Sequence, residues 1–505
     1  MPHLAGRQTA RRRPLRPLLR RLRATPRALV LLLVVGALQS LAWAIALPAF
    51  QGPDESAHFA YIQYLAETGS IPKVTGGNAS HSDEVGTALI ELNLAPLIGD
   101  LGARPGWSSA DLALLHQAER QLPRDGRADG SGPNAIAKNP PLYYALMAIP
   151  YRILVWVPIV KRIFLLRLIN ALCFLATIAG TWLIAGELFG RARWKQTLAA
   201  GAVALEPQLA FMSAVINADN LLIATCTWFL LMALRLVRRG PSVPRALWAS
   251  GFAAAAVLTH GRGLVTLPVL CVAMLAAWVR HRPQARDLAR QGAAAAATVA
   301  VPLAGYLAFE RAAGGGSLYG GQVGVINSGG FNLRQFLSSV WQFYFPRLPS
   351  LTPRIGPDYG YRQVFINTFY GTFGSLEIAF SPAVFAVLQV LSALGLVGLY
   401  TACVTRARRL WREWPSVVVM LALVVTQLLF LHYVSYRALL ETGGADPLIV
   451  GRYLLPMVSL FGVAIAFTAG ALPRRAGALL GAAILSLGVL LALGGLGLTA
   501  SRFYG

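Results

Sequence analysis

Residues Ala28 to Leu47 read ALVLLLVVGALQSLAWAIAL, a run without one charged side chain. As a helix, about 20 such residues span the roughly 30 Å of hydrocarbon in a bilayer. Basic residues precede the run, as they would in a secretory signal peptide. The run exceeds a signal core, shows no clear small-x-small cleavage site and is followed by many more apolar runs, so it reads as a retained membrane anchor. The whole chain agrees: 505 residues are 56% hydrophobic and 13% charged, a balance a soluble multidomain enzyme could not keep in water.

The formal net charge of +24 raises nucleic acid as a partner. The arginines, however, punctuate the gaps between apolar runs, as the positive-inside rule requires, so no nucleic acid is expected. The tail 1–27 carries Arg7, Arg11, Arg12, Arg13, Arg16, Arg20, Arg21, Arg23 and Arg27, which places the N-terminus in the cytoplasm, against anionic lipid. Cys173, Cys226, Cys271 and Cys403 each sit in an apolar run without metal-type spacing, which argues against disulfides and a zinc cluster.

Eleven of the 21 acidic residues, Asp54 to Asp129, fall in one polar stretch after the first run. With the N-terminus inside, this loop 48–162 lies outside the cytoplasm and is expected to carry short interfacial helices. PLYYALMAIPYRILVWVPIV from Pro141 is broken by Pro150, Arg152 and Pro158 and is read as interfacial. The later spans then run about Ile163 to Phe189, Thr197 to Val215, Leu221 to Leu234, Ala246 to Leu258, Gly263 to Trp278, Ala293 to Phe309, Ala383 to Val404, Val417 to Tyr433, Leu454 to Ala469 and Ala476 to Thr499. That topology keeps Arg238, Arg239, Arg280, Arg406 and Arg474 inside. The fold class is therefore an all-α polytopic membrane protein of about 11 transmembrane helices (range 10–13), multi-pass in the plasma membrane. It divides into a tail 1–27, an N-terminal module 28–309, an outer loop 310–382 and C-terminal helices 383–505. The outer loop, with AAGGGSLYGG and WQFYFPRLP, is long enough to be a lid or binding loop.

The strongest local signal is GPDESAHFAYIQYL from Gly52. Pro53 suits the first position of a helix and Gly52 its cap, which puts Asp54 and Glu55 in the first turn. Asp54, His58 and Tyr61 then share a face, and a charged carboxylate there can take a proton from a hydroxyl or amine. The bland alternative is a pair of acids that only stabilise a surface helix. INADNLL holds Asp219 in a short turn on the same side, either as a functional carboxylate or with Asn217 or Asp219 as a helix cap. THGRG offers His260 and Arg262, and GRYLLP offers Arg452, which suits a phosphate. Each cation also reads as one that snorkels to the interface, and Arg347, Arg354, Arg362 and Arg437 compete for the phosphate. KNPPLYYALM puts Lys138 and its two tyrosines, Tyr143 and Tyr144, beside the membrane, as substrate contacts or as an aromatic belt. Glu377 in GTFGSLEIAF is a weaker candidate.

The order of first helix, PDExxH, long outer loop, NPPLYY, D-N-L turn, H-x-R turn and late GRYLLP resembles the GT-C superfamily of integral-membrane glycosyltransferases. It is most similar to bacterial branches related to lipid-A aminoarabinose transferases and protein O-mannosyltransferases, including a membrane family with this PDExxH and GRYLLP pattern. The resemblance implies a polyprenyl-phosphate-linked sugar as donor, commonly inverting transfer outside the cytoplasm, and an acid of the first outer loop as base. Asp54 matches that acid and Glu55 its neighbour; Asp219 falls at a second outer-loop acid, and His260 or Arg262 near a phosphate-holding cation. The chain has THGRG where a lysine would stand and lacks a full D-x-D at Asp219, so no metal ligand is assigned and a divalent-metal requirement stays open. The reading is a glycosyltransferase with Asp54 as general base, Glu55, His58 and Asp219 beside it, and Tyr61, Lys138, Tyr143, His260, Arg262 and Arg452 as substrate contacts. Its partners are membrane lipid and a glycan, lipid or protein acceptor. The rival is a transporter or flippase for a lipid-linked envelope substrate, which would hold its ionisable groups near mid-membrane.

Overall fold

The computed structural model describes residues 26–73, 79–130, 132–190, 192–312, 331–345, 347–352, 361–441 and 449–505. The tail arginines before Arg27, Arg354 and most of the AAGGGSLYGG stretch lie outside the described residues, and Arg362 is described by its backbone alone.

Helix α1 (Arg27–Ala46) turns Leu32, Gly36, Ser40 and Trp43 inward. Val30, Leu31, Val34, Leu38, Leu41 and Ile45 face outward, where a bilayer supplies apolar surroundings. Four short helices follow: α2 (Glu55–Thr68), α3 (Asp83–Glu91), α4 (Ser109–Gln121) and α5 (Leu142–Ile153). At 12 residues, α5 rises about 18 Å and is too short to cross. A buried ionic network fixes this part to the bundle. Glu84 accepts from Arg162 at 2.8 and 3.1 Å, from Arg127 at 2.8 Å and from Gln63 at 2.7 Å. With both partners dehydrated, every lone pair needs a donor, and Glu84 has them.

The bundle continues with α6 (Ile159–Phe189), α7 (Arg193–Ala204), α8 (Pro207–Ser213), α9 (Asp219–Arg239), α10 (Val243–Thr259), α11 (Thr266–His281) and α12 (Ala285–Ala312). Next come α13 (Leu333–Tyr344), α14 (Tyr361–Tyr370), a two-stranded hairpin of β1 (Thr372–Phe373) and β2 (Ile378–Ala379), then α15 (Pro382–Thr405) and α16 (Ala407–Arg412). The described chain closes with α17 (Trp414–Glu441), α18 (Val458–Ala469) and α19 (Arg474–Tyr504). Helix α9 is central, packed on α6, α10 and α11, whereas α12 and α15 show most of their surface outward.

Among the described residues, nine helices are long and apolar enough to cross a membrane. The expected eleven spans also included α10, which has 17 residues, and one continuous helix from Thr197 to Val215. The latter is corrected: the helix breaks at Leu205 and Glu206. Pro207 has no N–H to continue the ladder and starts α8, with the Glu206 carboxylate accepting from the backbone N–H of Gln208 and Leu209.

The two ends of the bundle differ in charge chemistry. At one end Glu187 pairs with Arg235 and Arg239, Glu413 with Arg238, and Arg406 donates to the Gly470 carbonyl. At the other end α1 finishes and α6, α9, α11 and α18 begin, bringing Asp54, Arg167, Asp219, Arg262 and Arg452 together.

Candidate active site

Asp54 is not in the first turn of its helix, as its spacing suggested, but is the residue before it. It holds φ 57° and ψ 17°, a left-handed conformation that Asp tolerates better than most residues. Its carboxylate caps no backbone N–H and is 54% exposed. Glu55 is wholly buried and takes the opposite part. It accepts from Arg167 Nε at 2.8 Å and Nη2 at 2.6 Å, and from the Ile216 N–H at 3.0 Å. Arg167 also donates to the carbonyls of Leu47 at 2.6 Å and Pro48 at 2.8 Å. One bidentate pair thus ties the end of α1, the start of α2, α6 and the turn after α8. With both oxygens committed, Glu55 is a clamp rather than the free catalytic neighbour that was expected.

The D-N-L turn docks on the same spot. Asn217 Nδ2 donates to the Pro53 carbonyl at 3.1 Å, and Asn217 Oδ1 accepts the Asp219 N–H at 2.9 Å. This leaves the Asp219 carboxylate free to leave its helix and pair with Arg262 Nη2. Arg262 stands in a 3₁₀ turn, Gly261–Val265, and His260 Nδ1 accepts its backbone N–H at 3.0 Å. The turn needs Gly263, where a Cβ would lie 2.1 Å from the Ala256 carbonyl oxygen.

A second 3₁₀ turn, Gly451–Met457, presents Arg452, and a Cβ on Gly451 would lie 2.0 Å from the Phe365 carbonyl oxygen. Both guanidinium carbons lie against the Tyr453 ring, Arg262 at 4.2 Å and Arg452 at 5.6 Å from its centroid. Arg452 Nη2 approaches Asp54 Oδ2 at 3.5 Å, an electrostatic contact longer than a strong hydrogen bond. Arg262 Nη1, Arg452 Nε and Arg452 Nη1 are buried and meet no hydrogen-bond acceptor among the described residues. Buried donors of this kind are costly unless an acceptor comes to them, and an anion with several oxygens would serve all three.

Beside the carboxylates is an aromatic layer. His58 Nδ1 meets the Tyr144 hydroxyl at 2.9 Å, Tyr61 stacks on Tyr144 at 3.7 Å between centroids, and Asn139 Nδ2 donates to the Tyr144 hydroxyl at 3.1 Å. Burial lowers the His58 pKa to about 4 despite Asp54 and Asp219 nearby, and Arg452 pushes the same way as burial. His260 is lowered to about 3 by burial and by Arg262. Both imidazoles are therefore neutral at pH 7. Burial also raises the Tyr61 phenol well above its ordinary range.

The structure thus gathers Asp54, His58, Asp219, His260, Arg262 and Arg452. Tyr61 lies in the adjoining layer, and Tyr143 is buried with its hydroxyl donating to Asn170 Oδ1 at 3.1 Å. Lys138 is exposed at the end of a 3₁₀ turn, Ala135–Lys138, whereas its neighbour Asn139 points into the layer. Arg347 is exposed and donates to the Leu351 carbonyl, and Glu377 faces Arg502 at 3.9 Å. Sequence reasoning passed over Arg167 and Tyr453, while it read Tyr144 only as an interface tyrosine beside Tyr143 and Asn217 only as an alternative helix cap. An arginine inside an otherwise apolar span was the available signal for Arg167. Among the described residues no three His, Cys, Asp or Glu converge as metal ligands.

The chain is similar to the oligosaccharyltransferase of Archaeoglobus fulgidus in its apo form, at 14% identity and a TM-score of 0.44, covering 94% of this chain and 55% of that one. It is also similar to ArnT from Cupriavidus metallidurans bound to undecaprenyl phosphate, at 15% identity and a TM-score of 0.43, covering 92% of this chain and 64% of that one. A third, AglB from Archaeoglobus fulgidus in complex with an inhibitory peptide and a dolichol-phosphate, gives 15% identity and a TM-score of 0.40, covering 94% and 56%. The chain therefore spans between about half and two thirds of the length of these structures. No curated protein matches it in sequence. The model of the family described as DUF2142, predicted membrane protein, matches residues 37–461, and the chain belongs to that family.

Proposed function

We propose that this protein is an integral-membrane glycosyltransferase that moves a sugar from a polyprenyl-phosphate donor to an extracytoplasmic acceptor, with inversion. The observation that carries the reading is the meeting of Asp54 with Arg452, beside Arg262 on the same Tyr453 ring, with Arg262 Nη1, Arg452 Nε and Arg452 Nη1 buried and without an acceptor among the described residues. A lipid phosphate ester would supply the oxygens they need.

In the reaction, Asp54 takes the proton of the acceptor hydroxyl or amine. The freed electron pair attacks the anomeric carbon from the face opposite the phosphate. The bond between that carbon and the phosphate oxygen breaks, and its electrons stay on the polyprenyl phosphate. Arg452 and Arg262 neutralise the charge that develops there. Asp219 orients Arg262, the Glu55–Arg167 clamp fixes the turn that carries Asp54, and neutral His58 adds no competing positive charge. His58, Tyr61 and Tyr143 are assigned to the wall of the site and Lys138 to contact with the acceptor.

Purified protein incubated with labelled polyprenyl-phosphate sugars and an envelope extract should transfer the label, and Asp54→Asn should abolish transfer while inserting normally. Full activity in Asp54→Asn removes Asp54 from the mechanism. Movement of an intact donor between leaflets without a new glycosidic bond would instead make the protein a flippase.

A further inference from the structure

A cavity of about 340 Å³ opens at the opposite end of the bundle from Asp54, between α6, α7 and α9. Glu187, Gly190, Arg193, Gln196, Arg235 and Arg239 are among the residues that line it. Glu187 accepts from Arg235 Nε at 2.8 Å and from Arg239 Nε at 3.1 Å. Arg193 Nη1 is held by Gln196 Oε1 at 3.1 Å, and Gln196 is itself held by the Trp182 carbonyl.

Among the described residues, three guanidiniums against one carboxylate leave two positive charges in excess on the wall of the cavity. The carboxylate does more than neutralise: it fixes two guanidiniums from consecutive turns of α9, so their remaining N–H groups are ordered before any ligand arrives. The volume matches a small polar headgroup better than a bare ion.

We propose that this cavity binds a phosphate ester, with the ordered guanidiniums of Arg193, Arg235 and Arg239 as its donors. It is separate from the donor site of the proposed transferase and does not depend on it. The two sources of such a group are an anionic phospholipid headgroup and a soluble phosphate.

Full-length protein is placed in phosphatidylcholine nanodiscs with or without phosphatidylglycerol, and thermal unfolding is followed. Phosphatidylglycerol should raise the midpoint by at least about 2 °C. Arg193→Ala, which spares both contacts to Glu187, should lose most of the rise and weaken phosphatidylglycerol retention in native mass spectrometry about tenfold. Arg193→Lys should retain it, as should Arg286→Ala/Arg290→Ala, which removes surface charge elsewhere. Inorganic phosphate in phosphatidylcholine discs separates the sources: protection by phosphate that Arg193→Ala abolishes assigns a soluble ligand, and protection by the lipid alone assigns a headgroup. Equal rises in the wild type and Arg193→Ala, or no rise with either ligand, would overturn the proposal.

Discussion

Glu55 and Arg167 show how one residue's freedom depends on its neighbour's confinement. Glu55 is buried in a bidentate pair while Asp54, one position earlier, is half exposed and, among the described residues, meets a cation only in a loose contact with Arg452. Removing one partner of a buried pair leaves the other charged and dry, so Arg167→Ala should destabilise the protein by about 3–5 kcal/mol, read as unfolding in detergent against the wild type. Arg452→Ala removes a donor to the proposed phosphate, and donor affinity should fall about 10- to 100-fold, with acceptor affinity little changed in equilibrium binding. An unaltered donor affinity would take Arg452 out of that role. His58 adds a pH dependence. Its folded pKa, about 4, lies below its ordinary 6.5, so the unfolded chain binds the proton first. Its stability contribution is complete above about pH 6.5 and declines as pH falls toward about 4. His58→Gln should flatten that part of the stability curve, with the His260 contribution remaining. Asp54 was legible because PDExxH concentrates acids at the end of an apolar run. The clamp was not, since its partner stands 112 residues away inside a run read only for hydropathy.

At the scale of elements, the site is built from helix beginnings rather than helix bodies. Two 3₁₀ turns, Gly261–Val265 and Gly451–Met457, each carry an arginine inward just before an apolar helix takes over. The THGRG and GRYLLP strings marked both turns, since a glycine beside a basic residue at a span's edge breaks the apolar pattern. Their convergence on Tyr453 was invisible, because periodicity within one helix says nothing about which other helix it meets. Gly451 is where this architecture is least forgiving. Its N–H donates to Thr368 Oγ1 of α14 and its Cα faces the Phe365 carbonyl, so a methyl there must push α14 away. Gly451→Ala should therefore weaken donor binding in the manner of Arg452→Ala although the guanidinium is retained. Equal donor affinity in Gly451→Ala and the wild type would show that the turn's geometry is unimportant. The break before α8 escaped the sequence reading for a different reason. Pro207 lies in a run apolar enough for a single helix, and only the capping by Glu206 reveals that the chain restarts there.

For the whole molecule, the asymmetry of the two ends carries orientation. Arginines follow α9, α11 and α15 at one end, where Glu187 and Glu413 answer only some of them, and the acidic loop helices and the paired carboxylates occupy the other. By the positive-inside rule the arginine-rich end would face the cytoplasm and the Asp54 site the opposite side, where the proposed donor would be met. Alternating charge along the sequence made this pattern readable without coordinates, whereas the number of crossings depends on α10 and the broken α7 and α8, whose lengths leave hydropathy ambiguous. Ser70 and Arg286 are both exposed and lie at opposite ends of the bundle. In a variant without native cysteines, Ser70→Cys should react with a membrane-impermeant maleimide in intact cells, and Arg286→Cys only after the membrane is opened. The reverse pattern would turn the Asp54 site toward the cytoplasm, where soluble nucleotide sugars compete as donors, and would remove the reason for invoking a lipid-linked one.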